Sequence, residues 1–334
     1  MGSSSAAPRV DGADRAHWLD LLRRNVGFDA PEAWLDYARS HGFREVRAAQ
    51  LRACPDCAEA STRVIGQYVY YSTLFRLRRC RGCGLAYADV RLANDVVRAH
   101  FEIAYKDETY FREGRAGIFA HLARLVDERA LPGASVLDVG GAMGHLLCAI
   151  RARRPELRLA LSDISQAACD AVALKHGFRT ICGGLAALEG CADDFDVVVM
   201  SDVLYYEPDL PAVWRLLPRL VAPGGSVIVR VPNRLPWIRI GTILARWRPR
   251  AAPAQATHIP FFNPEHLYAF SRAYLLHRLR TIGFVDVCAL PTPLLARVTS
   301  RLPARAFHAA ARAVHALSGG RVITPGMVLI GRRP

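Results

Sequence analysis

Lysine is almost absent from this chain. Lys106 and Lys175 are the only two, so arginine carries nearly all of a formal net charge of +14. A nucleic-acid binder gathers its basic residues into a phosphate-tracking face. Arginine excess beside abundant alanine reads as compositional bias instead, and nucleic acid is disfavoured as a partner. Long apolar runs are also lacking, and no stretch approaches the ~20 residues that span a bilayer. The first thirty residues hold no apolar core of a secretory signal, and nothing repeats internally. These absences lead to the expectation of a cytoplasmic chain with reduced thiols. Its 334 residues suggest two or three modules.

Cysteine is present in a pattern. Cys54-Pro-Asp-Cys57 and Cys80-Arg-Gly-Cys83 form C-x2-C-x22-C-x2-C. Paired knuckles at this spacing bring four thiolates within tetrahedral reach of one zinc ion. The disulfide reading is the weaker one in a reducing compartment. All four positions are filled by protein, so the zinc is expected to be structural. Val64 to Leu77, between the knuckles, reads as strands. Cys148, Cys169, Cys182, Cys191 and Cys288 read as small core residues. Upstream, Asp14 to Val26 reads as a helix, and a second starts at Asp29-Ala-Pro-Glu32 with a capping box. The expected modules are a helical segment over 1–50, a zinc ribbon over 51–95 and a larger domain over 96–334.

The larger domain begins with Ser135-Val-Leu-Asp-Val-Gly-Gly-Ala-Met-Gly-His-Leu-Leu147. An apolar run ends in an acid, a glycine-rich turn follows, and an apolar helix starts near Gly144. Glycine lets the backbone turn sharply and approach a ligand, and helix-start amides supply donors. A dinucleotide fingerprint fits poorly, because its register puts Val139 where the first glycine belongs. Leu157 to Asp163 reads as the next strand, ending in an acid able to accept ribose hydroxyls. A short strand and turn occupy Gly177 to Gly184. Phe195 to Met200 reads as a buried parallel strand, followed by Ser201-Asp202-Val203-Leu204-Tyr205-Tyr206 at the ligand-bearing end. A helix closes over Leu216 to Val221, Pro223-Gly224-Gly225 reads as a turn, and Ser226 to Val231 as a fifth strand. Phe284 to Ala289 and Met327 to Gly331 read as strands six and seven. Alternating strands and helices imply an α/β fold with a doubly wound, Rossmann-like sheet of seven strands.

This ordered set resembles class I S-adenosylmethionine (SAM) methyltransferases over residues 96–334. Asp138, Gly140 and Gly144 fall in register with their acid-x-Gly-x-Gly-x-Gly motif, and Ala142 stands at the middle glycine. The resemblance implies an antiparallel seventh strand and SAM lying across the ends of strands one, two and four. It implies that Asp138, Gly140, Gly141, Ala142 and Gly144 line the methionine part. Asp163 would bind the ribose, Ile164 would lie against the adenine, and Gly184-Leu185 would flank the base. Ser201 and Asp202 would line the pocket at the end of strand four, although Asp202 also suits a helix cap. Tyr105 and Tyr110 would close over the SAM carboxylate, or else pack before strand one.

The zinc-ribbon-first arrangement is similar to bacterial methyltransferases acting on nucleotide sugars, polysaccharide precursors and natural products. Cys80-x-x-Cys83-Gly-Leu-x-Tyr87, Tyr110-Phe111, His258-x-x-x-Phe262 and Gly283-Phe284 carry that likeness. Sugar C-methyltransferases of this kind have a further C-terminal domain, which this chain is expected to lack. They also often place Glu-His after strand four, where Tyr205 and Tyr206 stand here. O-, N- or S-methylation of a small molecule is therefore favoured over C-methylation. His258 and Tyr206 are the candidate catalytic groups, since a hydroxyl acceptor needs a proton acceptor within reach.

Two basic stretches remain open in meaning. Arg234 to Arg250 interleaves arginines with Trp237, Ile240, Leu244 and Trp247, and Leu294 to Arg312 carries Arg297, Arg301, Arg305 and Arg312. A lid and a surface helix are the plain readings; docking on an anionic membrane or a lipid-linked substrate is the sharper one. The competing functions are an RNA methyltransferase with a zinc module and a non-catalytic partner protein that keeps the fold. An oligomer remains open.

Overall fold

The computed structural model describes residues 48–70, 73–92, 113–191, 194–236, 238–239, 262, 266–293, 302–319, 324 and 326–334. Both expected N-terminal helices lie outside the described residues, as do Tyr105, Tyr110 and His258. Much of the stretch 234–250 and part of 294–312 lie outside them too.

The chain opens with β1 (Ala48–Gln50), β2 (Thr62–Tyr70), β3 (Thr73–Cys80), β4 (Ala86–Ala88) and β5 (Val90–Leu92). The larger unit then runs α1 (Ala116–Asp127), β6 (Ser135–Val139), α2 (His145–Arg153), β7 (Arg158–Asp163), α3 (Gln166–His176), β8 (Arg179–Cys182) and α4 (Leu185–Glu189). It continues with β9 (Phe195–Ser201), a 3-10 turn (Leu204–Tyr206), α5 (Leu210–Leu220) and β10 (Val221–Pro232). Last come β11 (Tyr268–Ala269), α6 (Arg272–Thr281), β12 (Val285–Pro291), α7 (Leu302–Leu317) and β13 (Gly326–Arg332).

Seven of these strands form one sheet in the order β12-β13-β10-β9-β6-β7-β8. From β10 to β8 all neighbours are parallel. β13 runs antiparallel to both β10 and β12, as expected of the seventh strand. Winding reverses between β6 and β9, which puts a crevice at their carboxyl ends. Side chains alternate faces along each strand, so Leu137 and Val139 join one core and Val136 the other. The buried positions of α1, Ile118, Phe119, Leu122, Ala123, Leu125 and Val126, form one face at helical spacing. Asp209, Ser165 and Ser271 cap α5, α3 and α6 through their side-chain oxygens. Asp196 fixes the register of β6 against β9 by accepting from both the amide and the hydroxyl of Ser135, each at 2.7 Å.

One local expectation differs. Pro223-Gly224-Gly225 is no free turn but an irregularity inside β10, where the pairing with β9 jumps between Val221 and Ser226. The cause is Gly224, whose φ of 79° lets the strand absorb extra residues.

The ribbon is tied closely to the larger unit. Its sheet has the order β11-β4-β3-β2, so a strand from residues 268–269 completes it. Cys54, Cys80, Leu85 and Tyr87 share a core cluster with Leu217, Tyr268, Phe270 and Tyr274. Among the described residues no helix is long and apolar enough to cross a membrane.

Candidate cofactor and acceptor site

At the end of β6 the backbone turns through left-handed geometry at Gly140, with φ 68°. A Cβ there would sit 2.6 Å from Val203 Cγ2, and one at Gly141 would sit 2.5 Å from Leu161 Cδ1. The loop after β9 and the strand β7 thus crowd the turn, and only glycine fits. Ala142 also takes positive φ, 47°, a strained region for a residue with a Cβ. The turn is held by Ser162, whose carbonyl accepts from the Gly140 and Gly141 amides at 2.7 and 3.2 Å. Helix α2 follows with no side-chain cap from Gly144, so its start lies at the carboxyl end of β6, where a helix N-terminus favours an anionic group.

Two carboxyl groups meet at this turn, and a third, Glu207, lies near enough to feel the charge of Asp163. Asp163 is buried and accepts from the amides of Ala142 and Ser165, both at 2.9 Å. Asp138 is buried below the turn, and burial pushes its carboxyl up to about 8, with Arg115 opposing and Asp163 adding to the rise. Burial and then the charge of Asp163 push Glu207 up to about 7. Both carboxyls therefore hold a proton to higher pH than an exposed carboxyl does. Ile164 lies near Gly184, which carries φ 69° ahead of Leu185 and α4.

The opposite wall is built from longer-range partners. Asp202, at φ 63° just past β9, is buried. Its carboxylate pairs with Arg115, which precedes α1, and with Arg230 of β10. Arg115 also donates to Ser201 Oγ at 3.2 Å. Burial acts to raise the Asp202 pKa, but Arg230 and Arg115 outweigh it and hold the group below the usual range. Asp202 is thus committed to two arginines rather than to a helix cap. Tyr205 and Tyr206 follow, with ring centroids 4.5 Å apart. His266 stacks on Tyr205 at 3.9 Å and meets Tyr206 edge-on at 5.5 Å. Its ring is 4% exposed, and Nδ1 has no hydrogen-bond partner among the described residues. Burial, then Arg234 and Arg230, hold the imidazole well below its ordinary pKa, so it is neutral.

Sequence reasoning placed Ser201, Asp202 and Tyr206 here but missed Arg115, Glu207, Arg230 and His266. Arg230 carried a signal, because it interrupts the apolar strand Ser226 to Val231. His266 carried none, since only the fold brings it onto Tyr205.

The four expected metal ligands do come together. Cys54 and Cys83 Sγ are 3.6 Å apart, as are Cys57 and Cys80, and all four sulfurs lie within 4.8 Å of one another. A zinc–sulfur bond of about 2.3 Å in a tetrahedron needs sulfurs about 3.8 Å apart. The donor set fits zinc and leaves no open position. The Cys83 thiol beside Cys54 holds the Cys54 thiol below its ordinary pKa. Asp56, between the first two ligands, accepts from Trp214 Nε1 at 2.9 Å and from Arg278 Nε at 2.8 Å. The second knuckle leads into β4, where the Ala88 amide donates to the Leu267 carbonyl at 2.8 Å. The Leu267 amide in turn donates to the Tyr205 carbonyl at 2.9 Å.

A family described as a methyltransferase domain matches residues 110–289, which takes in the turn, the crevice and both walls. The chain belongs to the methyltransferases. Over 194 residues it is 31% identical to a nocamycin O-methyltransferase of Saccharothrix syringae, covering 54% of this chain and 68% of that one. Over 156 residues it is 33% identical to a ubiquinone biosynthesis O-methyltransferase of Pseudomonas putida, covering 44% of this chain and 66% of that one. A solved SAM-dependent methyltransferase of Archaeoglobus fulgidus aligns with a TM-score of 0.45 and 16% identity, over 69% of this chain and 99% of that one. The methyltransferase is SAM-dependent, and its cysteine cluster can hold zinc.

Proposed function

We propose that this methyltransferase transfers a methyl group from SAM to an oxygen of a small molecule, with nitrogen or sulfur acceptors next in order. The observation that carries the cofactor assignment is the meeting of Asp138 and Asp163, with Glu207 nearby, at a glycine turn before a helix start. Asp163 raises the pKa of both Asp138 and Glu207, and a cation beside such carboxyl groups is favoured; SAM brings a sulfonium and an ammonium. Gly140, Gly141, Ala142 and Gly144 then line the methionine part. Asp163 takes the ribose through the lone pairs left by its two amide donors, and Ile164, Gly184 and Leu185 flank the base. Ser201 closes the floor, and Tyr105 and Tyr110 are proposed to cover the carboxylate. O-methyltransferase relatives and the replacement of a Glu-His pair by Tyr205-Tyr206 support an oxygen acceptor.

Bound SAM supplies an activated methyl, so the protein's part is mainly positioning. Asp202 locks Arg115 to Arg230 and fixes the end of β9 from which Tyr206 projects. Tyr206 and His266 line the acceptor side. The neutral imidazole offers a hydrogen-bond acceptor that orients a hydroxyl as its oxygen attacks, while burial and the arginines oppose its taking the proton. His258 is retained as a candidate proton acceptor.

Calorimetric titration with S-adenosylhomocysteine and SAM tests the reading. Micromolar binding is expected, reduced at least about tenfold in Asp163→Ala, the loss of a hydrogen bond to a charged group. SAM should release protons near pH 7, because a cation lowers the raised pKa of Asp138 and Glu207. Its affinity should then rise as pH approaches 8. Absence of binding by the folded protein overturns the proposal.

A further inference from the structure

Helix α7 (Leu302–Leu317) shows apolar side chains to solvent. A surface helix normally hides its apolar stripe and shows its polar one, as α5 does with Leu210, Val213, Trp214 and Leu217 buried. Among the described side chains of α7 the half-buried ones are His308, Ala311 and His315, spaced as one helical stripe. His308 Nε2 bonds the Thr292 carbonyl at 3.0 Å and helps anchor that stripe. The exposed positions Ala306, Ala310, Ala313, Val314 and Leu317 fall on one contiguous arc. Leu317 is 88% exposed and Val314 45%. Arg305 and Arg312, both exposed, border the same arc.

Charge says what this face can meet. No Asp or Glu lies within α7, whose Arg305 and Arg312 are both exposed. Two copies joined through α7 would set Arg305 and Arg312 against their own kind, which disfavours a self-pairing face. An apolar arc bordered by arginines and lacking any acid matches a bilayer surface with anionic headgroups. We propose that α7 docks this enzyme on an anionic membrane surface, lying in the interface with Val314 and Leu317 dipped toward the acyl chains. This surface is separate from the crevice and does not rest on the methyl acceptor assigned above.

The test is co-sedimentation of the full zinc-loaded chain with two kinds of vesicle, phosphatidylcholine alone and phosphatidylcholine with phosphatidylglycerol. Binding only to the anionic vesicles is expected, weakening as salt rises. Leu317→Glu and the double change Arg305→Glu, Arg312→Glu should each lower it about tenfold or more. S-adenosylhomocysteine binding should be unchanged in both variants, which shows that they fold. No binding, or equal binding to both vesicles, overturns the proposal. So does a Leu317→Glu variant that halves the solution mass without changing vesicle binding, which would make the face an interface between copies.

Discussion

The two walls of the crevice are assembled in different ways. The cofactor wall is written within a short stretch: the turn at 138–144 and Asp163 are joined by bonds such as Ala142 to Asp163, 21 residues apart. The acceptor wall joins Arg115 to Asp202 across 87 residues and Asp202 to Arg230 across 28. His266 arrives from beyond both. The ribbon behind it reaches further still, from Asp56 to Arg278 across 222 residues. Local geometry can place a cofactor, whereas the acceptor wall exists only when distant parts of the chain are folded together. The two walls should therefore fail separately.

Metal removal is the strongest way to part them. Binding energy at four-thiolate sites is folding energy, on the order of 10 kcal/mol in small zinc modules. Chelation should loosen β2–β4 and, through Ala88 and Leu267, the loop carrying Tyr205. Amide hydrogen exchange reads this directly. The Ala88 and Leu267 amides should exchange much faster without metal, while those of Gly140, Gly141 and Gly183 stay protected. A uniform rise across both walls would mean that they are one cooperative unit.

Asp202→Asn attacks the acceptor wall first, reaching the cofactor side only through Arg115. It leaves two buried guanidinium groups without their counter-charge, at a cost of about 3–5 kcal/mol, read by urea denaturation at neutral pH. The folded pKa of Asp202 is depressed below the ordinary 3.8. Its stabilisation is therefore fully present above that value and is lost as pH falls through the lower one. The variant should lack this acid-side loss, so the difference between the two proteins should shrink in strong acid.

How much of this was legible follows the same division. The seven strands, the glycine turn and the cysteine set could be read because each is local: an apolar run, a turn with one steric solution, a fixed ligand spacing. The bulge at Gly224 could not, since a Pro-Gly-Gly run looks the same in a turn and in an irregular strand. The edge strand beside β4, residues 268–269, is too short to show a period. His266 was overlooked beside His258 because a single histidine has no pattern, and its importance lies in Tyr205, Arg230 and Arg234.

The smallest effect sharpens the cofactor side. Ala142 stands where the family pattern has glycine, at φ 47°, and left-handed geometry costs a residue with a Cβ about 1–2 kcal/mol. Ala142→Gly removes that strain. It also frees the unfolded chain, at about 0.4–1 kcal/mol, and gives up a buried methyl at about 0.8 kcal/mol. These terms nearly cancel, so stability should change by less than about 1 kcal/mol. The Ala142 amide keeps its bond to Asp163 in either residue, so S-adenosylhomocysteine affinity should hold as well. Thermal melts and calorimetry check both. A clear loss of affinity with unchanged stability would show that the methyl itself touches the cofactor, making Ala142 a contact this chain has gained rather than a departure it tolerates.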